Sequence, residues 1–169
     1  MFRQELINTS KRGRKERGFS IIELSVVLLV MAIAAAFLVP QVLAYMRMYR
    51  LGVGGRDVAT ALQRARFLAT SNNTRAGVLA PDSQHVHIEQ YDREGKSQPQ
   101  LKALIELPNG VTLASDAPKQ IDFDGRGVVT PLPKESPTFR LNGPNGYYLF
   151  VIVSPTGQVT VSETKRDKI

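Results

Sequence analysis

The sequence predicts an α+β protein: a long N-terminal α-helix that opens as a membrane-spanning segment and packs on a C-terminal antiparallel β-sandwich or curved sheet. Three observations predict it. Residues 19–39 form an apolar run in which only Ser20, Glu23 and Ser25 are polar. Residues 58–69 carry an apolar stripe at three- and four-residue spacing, the period of a helix with one buried face. Beyond Arg75 the chain breaks into short β-branched or alternating segments separated by turns rich in Gly, Pro, Asn and Asp.

The N-terminal end sets the charge balance. With 169 residues the chain is long enough for one ordinary domain plus an appended segment. Residues 1–18 hold Arg3, Lys11, Arg12, Arg14, Lys15 and Arg17 against Glu5 and Glu16, a net +4 out of the chain's +7. The basic character is thus concentrated in a leader and does not by itself mark a nucleic-acid-binding domain. No cysteine is present, which excludes disulfide frameworks, thiol nucleophiles and Cys-based zinc sites.

At 1.5 Å per residue, a helix over 19–39 is roughly 31 Å long, one hydrocarbon thickness. The basic block before it places residues 1–18 in the cytoplasm and the chain beyond Pro40 on the far side. Two simpler readings compete at this point. One is a secretory signal peptide cut near Ala34 and Ala36, against which the apolar run continues through Phe37, Leu38 and Val39. The other is a plain signal anchor in which Glu23 is incidental, although an acid in a membrane helix costs on the order of 2.5–3.5 kcal/mol at its centre and less near its end. A third reading uses the acid. If the chain is cut between Gly18 and Phe19, Glu23 lies one turn from the new α-amino group, at the helix end that favours a carboxylate. In a low-dielectric medium the acid needs a cation, and the amine of a neighbouring subunit supplies one, so that Glu23 registers subunits against each other.

The stretch "RGFSIIELSVVLLVMAIAAAFLVP" resembles the class III signal of type IV pilins and type II secretion pseudopilins. The resemblance implies cleavage after Gly18 by a prepilin peptidase, N-methylation of Phe19 by the same enzyme, docking guided by Glu23, and a helix kink at Pro40. It further implies an inner-membrane, single-pass subunit with its β-domain in the periplasm. Its partners would be other minor and major pseudopilins, the inner-membrane assembly platform and exported substrate.

After Pro40 the helical period continues over 40–73, through Val42, Leu43, Met46 and Tyr49 and then Val58, Ala61, Leu62, Ala65, Leu68 and Ala69. The glycines of "LGVGG", 51–55, predict a kink or melted turn, or a loop between two helices, because glycine costs about 1 kcal/mol relative to alanine inside a helix. "SNN" at 71–73 predicts the helix end. A β-domain is expected over 74–162, in segments that include "RAGVLA", "HVHIEQY", "QIDFD", "TFRLN", "YYLFVIV" and "GQVTVS", with "REGKSQPQ" as a turn. The continuously apolar "YYLFVIV" predicts a central strand buried on both faces, and 163–169 a flexible tail. The order "LQRARFLATSNNTRAGV", β-structure, "IDFDGRGVVTP" and "VSPTGQV" resembles the GspH/FimT branch of minor pseudopilins and pilins, which implies a minor subunit near the tip of a type II secretion pseudopilus.

Candidate chemistry is sparse. His85 and His87 alternate on one strand face and could share a metal, but neither cysteine nor a third histidine is available, and two solvated histidines is the better reading. "DFDGRG", 122–127, has the opening of a calcium loop without its distal glutamate, so a hairpin turn at Asp124-Gly125 is expected. No cofactor, metal or enzymatic arrangement is expected, and the sequons at Asn8 and Asn72 are read as chance. The FimT resemblance raises DNA uptake as an alternative, with Arg64, Arg66 and Arg75, and Lys165, Arg166 and Lys168 in the tail, as the cations. Gln158 and Thr160 stand where that type's basic glycine-arginine motif would place arginines, which argues against nucleic acid as a partner.

Overall fold

The structure, a computed structural model, describes residues 19–92 and 94–167. One helix, α1, spans Ile21–Asn72. Ten strands follow: β1 Ala76–Leu79, β2 His85–Tyr91, β3 Ser97–Glu106, β4 Thr112–Leu113, β5 Gln120–Phe123, β6 Val129–Thr130, β7 Thr138–Asn142, β8 Tyr147–Val153, β9 Val159–Val161 and β10 Lys165–Arg166. The α+β class with a long apolar N-terminal helix and antiparallel sheets is the class the sequence predicts.

The chain divides into two units at Pro40. In the first, α1 is apolar around its whole circumference and every side chain is exposed. It is long and apolar enough to cross a membrane. Pro40 lies inside the helix, where it lacks the N–H that would bond the carbonyl of Ala36.

In the second unit two antiparallel sheets form. The first has the order β3-β2-β1-β5-β6, and the second β10-β8-β7-β4 with β9 also paired to β8. Inward residues of the first, including Val78, Val86, Ile88 and Phe123, meet inward residues of the second, including Phe139, Leu141, Leu149 and Val151. The buried stripe of α1, led by Leu51, Val58, Leu62 and Ala65, completes this core. Burying such a leucine or valine stabilises the fold by roughly 1.5–3 kcal/mol relative to exposure, and the stripe is what holds the helix to the sheets.

The glycines at 51–55 correct the expected melted turn or loop between two helices. The helix assignment is unbroken there, and Gly54 and Gly55 are buried. A Cβ at Gly55 would lie 2.8 Å from Leu149 Cδ1, and one at Gly54 3.2 Å from Val111 Cγ1. Close approach of helix to sheet, rather than chain reversal, is what these glycines supply. The helix ends as "SNN" predicts: Asn73 adopts the left-handed conformation at φ 48°, and the Thr74 N–H bonds back to the Ala69 carbonyl at 3.1 Å. That pair of features is a Schellman closure, in which asparagine takes the place usual for glycine.

Three further expectations are corrected. β3 includes "SQPQ", which the turn residues had suggested was loop, and the reversal is confined to a tighter turn where the Gly95 N–H bonds the Asp92 carbonyl. Strand β8 is buried on one face only: Leu149, Val151 and Val153 point into the core while Ile152 is exposed, so an apolar alternate face hid the period of two. The tail does not fray at 165–166, because β10 pairs with Tyr147 and Tyr148 of β8, and Asp167 accepts from Arg140 at 3.1 Å.

Candidate functional site

The start of α1 is built from polar caps on an apolar rod. Ser20 precedes the helix; its hydroxyl accepts from the Ile22 N–H at 3.4 Å and its carbonyl accepts from the Leu24 N–H at 3.1 Å. Glu23 follows three residues later, in the first turn, the serine-x-x-glutamate spacing of a capping box. The Ser25 hydroxyl turns back to the Ile21 carbonyl at 2.9 Å, which removes its polarity from the surface. Glu23 is then the one side chain from residue 19 to 46 that carries a charge at neutral pH. Among the described residues it has neither a hydrogen-bond nor an ion-pair partner. Phe19, the residue before this cap, is 81% exposed. Gly18, the leader and the residues flanking the expected cut on its N-terminal side lie outside the described residues.

The basic candidates are not assembled into a patch. Arg66 donates from Nε to the Gly127 carbonyl at 3.0 Å and from Nη2 to the Thr156 carbonyl at 3.2 Å. It therefore joins the β5–β6 turn, "DGRG", to the β8–β9 turn, "SPTG". The Val129 N–H also bonds the Pro155 carbonyl at 3.1 Å, so the two turns meet directly. A side chain at Gly157 would collide with the Gly127 carbonyl, and Gly157 has φ 81°, so two independent constraints require glycine there. Arg64 is two residues away and about 200° around the helix; it is exposed and without a partner among the described residues.

Arg75 belongs to a different cluster, on the outer face of the first sheet. Asp122, only 4% exposed, is paired with the Arg75 guanidinium, whose Nε donates to Oδ2 at 3.1 Å. Gln120 Nε2 donates to both carboxylate oxygens, at 2.9 and 3.0 Å, and to the Tyr91 hydroxyl at 2.5 Å. The guanidinium also stacks on the Tyr91 ring, 4.7 Å from its centroid. The hydrogen bond to Asp122 holds the Arg75 pKa above its usual range. Partial burial and then the Asp122 charge raise that of Tyr91. Gly77 faces Asp122 across the β1–β5 pairing, and a Cβ there would occupy the place of the carboxylate. This cluster was not legible from single residues; the available signal was the alternation of Gln120 and Asp122 opposite a glycine.

The remaining candidates are local. His85 Nδ1 lies 2.7 Å from the Asp82 carboxylate, which also accepts from the Gln84 and His85 amides. These contacts, the Gln84 amide first, hold the Asp82 pKa below its ordinary value. His85 and His87 share the outer face of β2 and are half-buried rather than fully solvated. Among the described residues no group of three or more His, Cys, Asp or Glu side chains is placed to hold a metal. Asp124 folds onto its own loop: Oδ1 accepts from the Arg126 and Val128 amides at 2.9 and 3.0 Å, and Oδ2 from the Arg126 guanidinium. Partial burial works to raise its pKa, but the Val128 amide and the Arg126 contacts outweigh it and hold it low. The loop is the expected hairpin turn between β5 and β6, with its carboxylate spent on the backbone.

The tail cations lie in the same framework. Arg166 stacks on Tyr147, its guanidinium carbon 5.4 Å from the ring centroid, and Lys165 is exposed in β10. Lys168 lies outside the described residues. Two of the three helix-end arginines, together with Arg166, are thus committed to contacts within the chain.

Comparison with known proteins follows the same division. Residues 13–39 match the family model described as the prokaryotic N-terminal methylation motif. The crystal structure of the type IV minor pilin FimU of Pseudomonas aeruginosa is similar at 18% identity over 67% of this chain and 93% of that one, with a TM-score of 0.54. A second crystal form of it gives 17% identity over 70% and 92%, with a TM-score of 0.56. The minor pseudopilin EpsH of the Vibrio cholerae type 2 secretion system is similar at 14% identity over 67% and 96%, with a TM-score of 0.52. These identities establish a common fold. No curated protein sequence matches the chain. Residues 55–157, more than half of the chain, match the model for the type II transport protein GspH, and the chain belongs to that family of structural pilin-like subunits.

Proposed function

We propose that this protein is a minor pseudopilin of a type II secretion system or a closely related type IV filament. The leader of residues 1–18 is removed after Gly18 by a prepilin peptidase, which then methylates the amine of Phe19. The apolar helix sits in the inner membrane with its N-terminus cytoplasmic and the β-domain periplasmic. The inner-membrane platform then extracts it, and it joins other minor and major pseudopilins near the filament tip, supporting protein export. Glu23 pairs with the terminal amine of a neighbouring subunit and sets the register.

The observation that carries this reading is the unpartnered Glu23 in the first turn of a helix whose apolar surface is exposed all round from residue 21 to 40. A lone acid on such a surface is stable only if assembly supplies its cation and the apolar faces of other helices cover the rod. The mature N-terminus, read by mass spectrometry after expression with and without a prepilin peptidase, tests the processing. A peptidase-dependent terminus at methylated Phe19 is expected; an intact chain, or a cut near Ala36, would sink the proposal. Glu23→Gln should then abolish incorporation into filaments while the β-domain remains folded.

A further inference from the structure

 From residue 24 up to Asp57, the next acid, the chain contains three arginines, Arg47, Arg50 and Arg56. All three are exposed and have neither a hydrogen-bond nor an ion-pair partner among the described residues. They are interleaved with Tyr45, Met46, Met48 and Tyr49, also exposed, with Tyr45 at 72% and Tyr49 at 60%. Tyr45, Met48, Tyr49, Gly52 and Arg56 fall on one helix face and, with Thr164, line a shallow groove of about 220 Å³. Gly52 leaves that groove open, since a Cβ there would meet nothing within 4 Å.

We infer that the turns from Tyr45 to Arg50, with Tyr45 and Tyr49 on the groove side and Arg47 and Arg50 on the opposite side of the helix, form a membrane-interface belt that binds the anionic phospholipid headgroups of the periplasmic leaflet before the subunit is extracted. The inference rests on the proposed insertion of residues 19–39. A run of that length fills one hydrocarbon core, so the next residues along the chain emerge among headgroups. Tyrosine rings prefer that layer because one end is apolar and the other wet, and arginine stems lie along apolar surface while the guanidinium reaches phosphate. The unpaired guanidiniums of Arg47 and Arg50, with no acid within six residues of either, complement an anionic surface, each contributing about a fivefold preference. The belt fixes the depth of the span and holds the β-domain at the membrane surface.

The test uses the full chain, which has no native cysteine, in proteoliposomes of phosphatidylethanolamine and phosphatidylglycerol. Single spin labels are placed at Ala44→Cys and Val30→Cys, and contact with spin-labelled phosphatidylglycerol is compared with contact with phosphatidylcholine. The label at 44 is expected at headgroup depth, with phosphatidylglycerol preferred at least about threefold. R47Q/R50Q should abolish that preference, and Y45S/Y49S should shift the label at 44 towards water. Equal contact with both lipids, or a preference that the double arginine variant retains, would overturn the inference while a buried label at 30 leaves the membrane span standing. A water-exposed label at 30 would overturn both. Protection of position 44 only in assembled filaments would overturn the lipid belt in favour of a subunit contact.

Discussion

From residue 21 to 50 every side chain of α1 is exposed, whereas from Leu51 to Ala69 the same helix buries a continuous stripe. Both stretches are rich in apolar residues, so the amount of apolar surface does not decide which half joins the core. Its arrangement does. Up to Pro40 the first half is apolar in every direction and offers no single face to a sheet; the second confines its apolar side chains to one side, buries Ala61 and Ala65, and places Gly54 and Gly55 where the sheet side chains come close. The first half depends on lipid or neighbouring helices for cover, and the second carries its own partner in the chain.

The largest effect that could break this contrast is a core truncation. In the full-length chain in detergent, Leu62→Ala should destabilise the β-domain by about 3 kcal/mol in denaturant titrations followed by tyrosine near-UV circular dichroism. Gly55→Val should cost about 1–3 kcal/mol by forcing Leu149 from its place; a neutral result would mean that the glycine is not needed for close approach. Arg66→Ala should cost about 1–2 kcal/mol, and Arg66→Lys should recover less than half, since an ammonium cannot reach both carbonyls as a planar fork does.

A smaller effect concerns pH. The Asp124 pKa is depressed in the folded state, so its contribution is present above the ordinary carboxylate value of about 3.9 and lost as pH falls through the folded value. Asp124→Asn should therefore lower stability by less than about 1 kcal/mol at neutral pH, with the gap to the native chain closing below about pH 4. The smallest effect is expected in the first half: Leu28→Ala should leave the β-domain within about 0.5 kcal/mol of the native chain. A large loss there would mean that the exposed half supports the folded domain, and the contrast would fail.

The long helix, its end at Asn72 and the antiparallel sheets were legible because each rests on a local signal: an apolar period, an asparagine able to adopt positive φ, and turns between β-branched runs. The role of "LGVGG" was not, because helix propensity reports the cost of glycine and is silent about Leu149 and Val111, which lie far along the chain. Strand β8 misled for a related reason, since Phe150 and Ile152 on its outer face are as apolar as the residues on its inner face. The ends of β10 and the bonds of Arg66 and Arg75 depend on partners 17 to 90 residues away in sequence, and residue type alone cannot identify such partners. At the N-terminus the motif from Gly18 to Glu23 was readable as chemistry, because a lone acid in an apolar run is itself an anomaly.

Arg66 has a mechanical consequence. Its guanidinium holds carbonyls 61 and 90 residues further along the chain, one in a hairpin of each sheet. A pull on this part of the helix is therefore shared between both sheets at once, in the manner of a tie rod anchored at two walls. Neither sheet can be peeled away first without breaking the same side chain's grip, so the domain resists tension as one body.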